Sequence, residues 1–296
     1  MSAWGFIAFP LVIVFLFTAL PTVAGVGLSF FEWRGSGLPR FIGLQNYAAA
    51  FSEPAFWYAL RNTLIFAIVT VPLTVGLAFL IAVALEAPWV RGRTLLRTVF
   101  FLPAIVSIVA IGFIWRWVLD PTPSGLLNHV LLAIGISQDH LPDWLGNNPW
   151  GLFTIIFVSV WRGLGFSVVL YLAALTNVPR SLYDAAAVDG AGSWQTMWHV
   201  TRPGVQPMSF FLLVTGMIGA LQVFDLVLVM IGTNQQAWTD VLNLFLYREF
   251  TASRLGFAAA LGVVVLGLTL AVTVLQLILH HDPTAPTRAA AAKGGR

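Results

Sequence analysis

Six long stretches of this chain are almost free of charged residues, and they constrain its fold more than any other feature. They cover residues 4–31, 62–85, 99–119, 151–175, 205–231 and 255–279. A helix needs about 20 apolar residues to cross the hydrocarbon core of a bilayer, and each stretch is long enough. Inside the bilayer a helix satisfies its own backbone hydrogen bonds. The sequence therefore predicts an all-α, polytopic membrane protein with about six transmembrane helices.

The composition supports this class and excludes several others. Hydrophobic residues make up 58% of the chain and charged residues 9%, whereas soluble domains are about 25% charged. The absence of cysteine excludes disulfides and thiolate sites. No histidine and carboxylate cluster has metal-ligand spacing, and no basic stripe indicates a nucleic-acid partner. We expect no catalysis, no metal and no nucleic acid.

The distribution of arginine predicts the orientation. Residues 86–98 carry three arginines, whereas residues 120–149 carry three aspartates and neither lysine nor arginine. The positive-inside rule places the first link in the cytoplasm and the second outside, so both termini are expected to be cytoplasmic. Arg34 and Arg40 in the first external link are exceptions. The tail, residues 282–296, is of low complexity and is expected to be disordered.

The external links are too short to form domains. In the first, the segments LQNYAAAF and FWYAL suggest amphipathic pieces that lie in the membrane interface, with aromatic side chains at headgroup level. In the second, residues 124–135 predict a short helix. These surfaces could receive a soluble partner.

A polar segment with internal glycines, LYDAAAVDGAGSWQTMWHVTRP, fills residues 182–203 between two apolar stretches. It predicts a short helix that breaks at Gly190, where a residue without Cβ turns the chain at little steric cost. A second helical piece is expected to stop at Pro203. On the predicted orientation the segment is cytoplasmic and presents Asp184 and Asp189 away from the bilayer.

This segment resembles the cytoplasmic signature of permease subunits of bacterial binding-protein-dependent ABC importers. The signature reads E-A-A, three residues, G, nine residues and I-x-L-P. Here Asp184, Ala185 and Ala186 are followed at the same spacing by Gly190 and by a final Pro203. The departures are aspartate for glutamate, Val200 for isoleucine and Arg202 for leucine. Further stretches, GLQNY, RTVFFLP, VFD and GFAAA, resemble the sugar-type branch, which includes maltose and glycerol-phosphate permeases.

The resemblance implies a type I importer permease fold, with one transmembrane domain over residues 1–281 and a coupling loop over residues 177–203. It implies a second homologous permease, an ABC ATPase dimer and an extracytoplasmic solute-binding protein as partners, in a bacterial cytoplasmic membrane. It also implies that membrane lipid surrounds the chain and that a sugar-like solute crosses the membrane by alternating access. The implied coupling residues are Asp184, Ala185, Ala186, Asp189, Gly190 and Pro203.

The chain cannot hydrolyse ATP through a P-loop of its own. Such a loop needs a lysine after a glycine-rich turn, and the only lysine is Lys293 in the tail. We expect no cofactor in this chain, with ATP and Mg²⁺ bound by the partner ATPase. A secondary transporter that works alone remains the alternative. It would be expected to show an internal repeat and ion-coupling carboxylates at the midplane, and no convincing repeat is found.

Polar residues within the apolar stretches are candidates for the solute pathway, because they are costly at membrane depth. Asp225 follows Gln222 by three residues, so both are expected on one helical face, where they could bind sugar hydroxyls. Asp225 could instead form a structural pair with the partner permease. Trp115 and Trp161 are candidates for stacking on a sugar ring, although tryptophans at span ends more often form an aromatic belt.

Two further residue types in the spans, arginine and glycine, have structural interpretations. Arg116 and Arg162 are expected near span ends, with their guanidinium groups at the lipid headgroups. Gly216 and Gly219 are expected to allow helices to approach closely.

Overall fold

The computed structural model describes residues 3–87, 90–234 and 236–280. The apolar stretches form most of the helices, which are α1 (Ala3–Val14), α2 (Leu20–Leu28), α4 (Pro54–Glu86), α5 (Arg93–Ile105), α6 (Ile108–Val118), α8 (Pro149–Thr176), α12 (Gln206–Leu221), α13 (Asp225–Ile231) and α15 (Leu255–Leu279). Shorter elements connect them, namely β1 (Phe31–Glu32), β2 (Arg40–Phe41), α3 (Gln45–Ser52), α7 (Leu126–Ala133), a 3₁₀ turn (Gln138–His140), α9 (Arg180–Val188), α10 (Ser193–Thr196), α11 (Arg202–Gly204) and α14 (Leu242–Thr251). The predicted tail, residues 282–296, lies outside the described residues.

The number of candidate spans agrees with the prediction. Among the described residues, four helical segments are long and apolar enough to cross a membrane, Ile7–Leu28, α4, α8 and α15. Two bent pairs, α5 with α6 and Ser193–Gly204 with α12, raise the number to six if each pair is one span. The helical, polytopic fold class is confirmed.

The third and fifth stretches are not the straight spans that hydropathy suggested. α5 and α6 meet at 97°, because Val106 and Ser107 between them adopt extended conformations. At the start of the fifth stretch, the helical segment Ser193–Gly204 and α12 meet at 65°, and α12 ends at Leu221. Hydropathy measures apolar content, which is the same in a straight span and in a broken one.

The first span contains an irregular turn before its second proline. Pro10 lies within α1, and a π-helical turn, Phe15–Ala19, separates α1 from α2. Pro21 lacks an N–H and its ring would clash with the carbonyl four residues earlier, at Phe17. A wider turn at this place relieves both problems.

The core of the transmembrane part lies between α4, α8 and α12. Ala78 of α4 and Ile155 and Val158 of α8 are fully buried there. α12 approaches α4 closely at Gly216, where an added Cβ would lie 3.1 Å from a methyl group of Val71. The expected packing role of Gly216 is therefore confirmed.

The segments that link the spans contain an antiparallel strand pair and α14, neither of which the sequence predicted. Strand β1 pairs with β2, Phe31 opposite Phe41. α14 packs on α15, and Phe245 and Phe257 belong to a second, smaller core there. The FWYAL piece is not a separate interfacial helix, because it forms the first turns of α4, which begins at Pro54.

A buried polar network joins the segment before α14 to α4. The Asn62 side chain donates to the carbonyls of Ala237 and Asp240, at 3.1 and 2.8 Å. The Asp240 carboxylate, 2% exposed as a residue, accepts two hydrogen bonds from Arg248 of α14. Burial raises the pKa of Asp240, and the Arg248 guanidinium opposes that rise. The network fixes the external ends of α4 and α14 relative to each other.

Candidate functional site

A cavity of about 660 Å³ opens between the broken helices of the transmembrane part. Residues of α4, α5, α6, α8, α12 and α13 line it, together with the non-helical residues between α12 and α13. Its walls are mostly apolar, with a few polar groups from different helices. Solute sites in proteins commonly have this composition, because an apolar surface with a few placed polar groups fixes orientation.

The helix break after α12 brings Gln222 and Asp225 to this cavity. Gln222 follows the last residue of α12, Phe224 has φ −150° and ψ −63°, and Asp225 is the first residue of α13. The expectation that both residues share one helical face is therefore wrong. They face the same cavity because the chain turns between them.

Arg162 also lines the cavity, which corrects its predicted position near a span end. α8 extends from Pro149 to Thr176, so Arg162 lies at its middle, half-buried. Its Nε and the hydroxyls of Thr70 and Thr74 on the neighbouring α4 are buried without a hydrogen-bond partner among the described residues. Orphaned polar atoms are uncommon in native structures, and here three of them belong to residues that line one cavity.

Trp115 and Trp161 lie elsewhere. Their rings pack edge to face, 5.5 Å apart, and Trp115 also packs on Phe157. Neither tryptophan belongs to the cavity lining. The two rings contact each other outside the cavity, so their position does not support stacking on a solute bound there.

The segment of residues 182–203 has the predicted helix–glycine–helix form. α9 begins after Pro179 and ends at Val188, and Gly190 has φ +73°. The N–H of Gly190 donates to the carbonyl of Ala187, and that of Ala191 to the carbonyl of Ala186. This pair of bonds is a Schellman motif, which closes a helix with a left-handed residue. Glycine is favoured there because a Cβ is costly in that conformation.

The second helical piece is longer than predicted. It continues from Ser193 through a π-helical turn, Met197–Thr201, and ends at Gly204, just past Pro203. α12 follows at once, so the segment leads directly into a span.

The candidate coupling residues lie on the surface. Asp184, Ala185, Asp189, Gly190 and Pro203 are exposed. Ala186 is half-buried, at a groove of about 410 Å³ between α9 and the second helix. A Tyr183 hydroxyl to Thr201 hydroxyl bond of 3.3 Å joins the two helices behind the groove. The segment therefore presents a small-residue face with two carboxylates, which no other element of the described residues covers.

Comparison with known proteins assigns this architecture to a family. A model described as "binding-protein-dependent transport system inner membrane component" matches residues 11–283. The chain belongs to this family. The probable ABC transporter permease protein YurN of Bacillus subtilis (strain 168) is 36% identical over 271 residues, 90% of this chain and 92% of that protein. The resemblance found at the cytoplasmic segment is thereby confirmed, and the chain is a non-catalytic transport subunit.

Two further proteins are similar over most of their length. The lactose transport system permease protein LacF of Rhizobium radiobacter is 36% identical over 225 residues, 76% of this chain and 74% of that protein. A similar chain occurs in a crystal structure of a bacterial alginate ABC transporter in complex with alginate pentasaccharide-bound periplasmic protein. That chain superposes on this one with a TM-score of 0.77 and is 26% identical to it. That match covers 91% of both chains.

Proposed function

We propose that this chain is the membrane subunit of an ATP-driven importer of a sugar or oligosaccharide. Its family is that of inner membrane components of binding-protein-dependent transport, and two of the proteins most like it act on lactose and on alginate. The observation that carries the proposal is the cavity of about 660 Å³ between the broken helices, whose mostly apolar walls carry Arg162, Gln222 and Asp225. It has room for about one or two sugar rings, since sites for small ligands occupy about 300–1,000 Å³.

Coupling to ATP hydrolysis is assigned to the exposed cytoplasmic segment. α9 is a short helix closed at Gly190, and no described element covers its alanine face. A separate ATPase, which would bind ATP and Mg²⁺, would dock on this face, and Asp184 would pair with a basic residue of that subunit. Movement transmitted through Pro203 into α12 would then open the cavity to alternate sides of the membrane.

The test of coupling is Asp184→Arg. Because Asp184 is exposed, the variant should fold and reach the membrane in normal amount, yet the reversed charge should weaken ATPase binding. We expect ATP-dependent uptake to fall at least about tenfold, the equivalent of about 1.4 kcal/mol. The matched control is Asp139→Arg, an exposed aspartate on the other side of the membrane. Normal uptake and normal ATPase recruitment in Asp184→Arg would refute the assignment.

Solute contact is assigned to Arg162, Gln222 and Asp225. A guanidinium, an amide and a carboxylate supply both donors and acceptors, which suits sugar hydroxyls. The partnerless Arg162 Nε and Thr70 and Thr74 hydroxyls fit a polar solute that completes their hydrogen bonds.

The test of solute contact is Arg162→Gln and Asp225→Asn in the reconstituted transporter. Each should lower uptake by about tenfold, the equivalent of one charge-assisted hydrogen bond. Basal ATPase activity and subunit assembly should persist. Asp139→Asn, which neutralises an exposed external carboxylate, should transport normally. Failure of the Asp225→Asn subunits to assemble would instead support a structural pair with a second permease.

The remaining partners and the orientation follow from the same proposal. A second homologous permease would close the open side of the cavity, and an ATPase dimer and an extracytoplasmic binding protein would complete the transporter. The arginines of residues 86–98 support a cytoplasmic position for that link and for both termini. Accessibility of a single cysteine, introduced at Ser124 or at Ser181 of this cysteine-free chain, tests the orientation, and Ser124 should react with an impermeant thiol reagent from outside.

A further inference from the structure

A second polar pocket, of about 370 Å³, lies on the external side, away from the transport cavity. Strands β1 and β2, helix α3 and the start of α15 form it, and its lining contains Arg34, Arg40 and Arg254 against a single carboxylate, Glu32. Arg40 pairs with Glu32, and Arg254 pairs with Glu249 of α14 at 2.7 Å. Arg34 is exposed, and no salt bridge to it occurs within the described part of the chain.

The pocket is built firmly. The Asn46 side chain donates to the carbonyls of Ser29 and Phe31, at 2.8 and 3.0 Å, and so fixes α3 to β1. The N–H of Gly256 donates to the carbonyl of Trp33. An added Cβ at Gly256 would lie only 1.9 Å from the Phe31 carbonyl oxygen, so the strand rests directly on α15.

The chain places this pocket at the level of the lipid headgroups. β1 begins three residues after α2 ends at Leu28, and Arg254 immediately precedes the first residue of α15. Both neighbouring helices belong to spans. Apolar side chains surround the pocket and face outward, with Leu38 95%, Phe41 69% and Leu44 67% exposed. Exposed apolar side chains beside cationic ones are typical of a surface that lies in the membrane interface.

From this arrangement we infer that the pocket binds the phosphodiester headgroup of an anionic phospholipid of the outer leaflet. Arginine is well suited to this ligand because its planar guanidinium donates two parallel hydrogen bonds to phosphate oxygens. The excess of cationic groups in the lining favours a headgroup with net negative charge. A bound headgroup also accounts for arginines on the side of the membrane where the positive-inside rule disfavours them. This lipid would hold the strand pair and α3 against the bilayer.

The test is a titration of the detergent-solubilised full-length protein with phosphatidylglycerol, followed by native mass spectrometry. Arg34→Gln, Arg40→Gln and Arg254→Gln should each weaken binding of the lipid by about fivefold, the expected contribution of one arginine near a charged membrane. Phosphatidylcholine should bind more weakly than phosphatidylglycerol, and inorganic phosphate should not compete. Arg91→Gln, which neutralises an exposed arginine outside the pocket, is the matched control.

Glu32→Gln should have the opposite effect on lipid binding. It removes the only carboxylate of the lining, so binding of phosphatidylglycerol should become stronger, a result that misfolding cannot imitate. Unchanged lipid binding in the arginine variants would overturn the inference. Competition by inorganic phosphate would assign the pocket to a free anion and overturn it as well. If the arginine variants bind lipid normally but lose binding-protein-stimulated uptake, the pocket is a protein docking site and the inference fails.

Discussion

Glycine residues set the distances between the helices around the cavity. At Gly165 of α8, an added Cβ would lie 2.4 Å from the backbone oxygen of Phe100 in α5. At Gly219 of α12, which also lines the cavity, an added Cβ would meet nothing within 4 Å. One glycine is therefore required by packing, and the other leaves open space. The expectation of close helix packing holds at Gly216 and is wrong at Gly219 in this chain.

This difference in packing predicts that substitution by alanine destabilises the protein at Gly165 and not at Gly219. Gly165→Ala should force α5 away from α8 and lower the free energy of unfolding by about 1–3 kcal/mol, the usual cost of overpacking. Gly219→Ala should be neutral or slightly stabilising, because alanine is the better helix former. Thermal unfolding of the two solubilised variants measures this. Equal midpoints would show that α5 and α8 do not pack as described.

Single residues also show the limit of sequence reasoning. The sequence identified Gln222 and Asp225 as candidate solute contacts from their rarity in apolar stretches. It assigned Arg162 to the headgroups, although the middle of a 28-residue helix is far from both ends. Proline fits the first turn of a helix, so Pro149 marks where this helix begins. Counting from Pro149 would have placed Arg162 at the middle of the helix. The orphaned hydroxyls of Thr70 and Thr74 gave no sequence signal, because threonine is common in spans.

At the scale of single elements, the helix–glycine–helix form of residues 182–203 was predictable and the broken spans were not. Gly190 marks the end of α9 through local chemistry alone, since a left-handed residue favours glycine. The breaks after Ile105 and Leu221 depend on packing between helices distant in sequence. Asp240 and Arg248 were likewise missed, because their pairing is visible only once α14 is in place.

The left-handed turn of the coupling segment can be tested directly. Gly190→Ala should cost about 1 kcal/mol locally, because a Cβ is unfavourable at φ +73°. The last turn of α9, residues 185–188, should then exchange its amide hydrogens about fivefold faster, if exchange follows local opening. Hydrogen exchange with mass spectrometry measures this rate.

Gly192→Ala is the matched control for that experiment. Gly192 has φ −71°, and an added Cβ would meet only the Gln195 side chain at 4.0 Å. Exchange in α9 should remain as in the parent protein. Equal exchange in both variants would mean that the left-handed turn does not stabilise α9.

At the scale of the whole molecule, the chain has a cavity between its broken helices and an exposed segment, residues 182–204, that leads into one of the helices lining it. α12 begins two residues after that segment ends at Gly204, and it ends at Leu221, next to Gln222 in the cavity lining. A force applied to the segment would therefore reach the cavity through one helix. The fold class and the approximate number of spans were predictable from apolar runs, whereas the cavity requires six helices to be placed together.

The most direct test of this account is ATP-dependent solute uptake by proteoliposomes that contain the permease with its co-purified subunits. Candidate sugars are screened with the binding protein outside and ATP inside. The account predicts uptake that requires both the binding protein and ATP. The Asp184→Arg variant should lose this uptake, and the Asp139→Arg variant should retain it. Uptake by the chain alone, without ATP, would contradict it and would favour a secondary transporter.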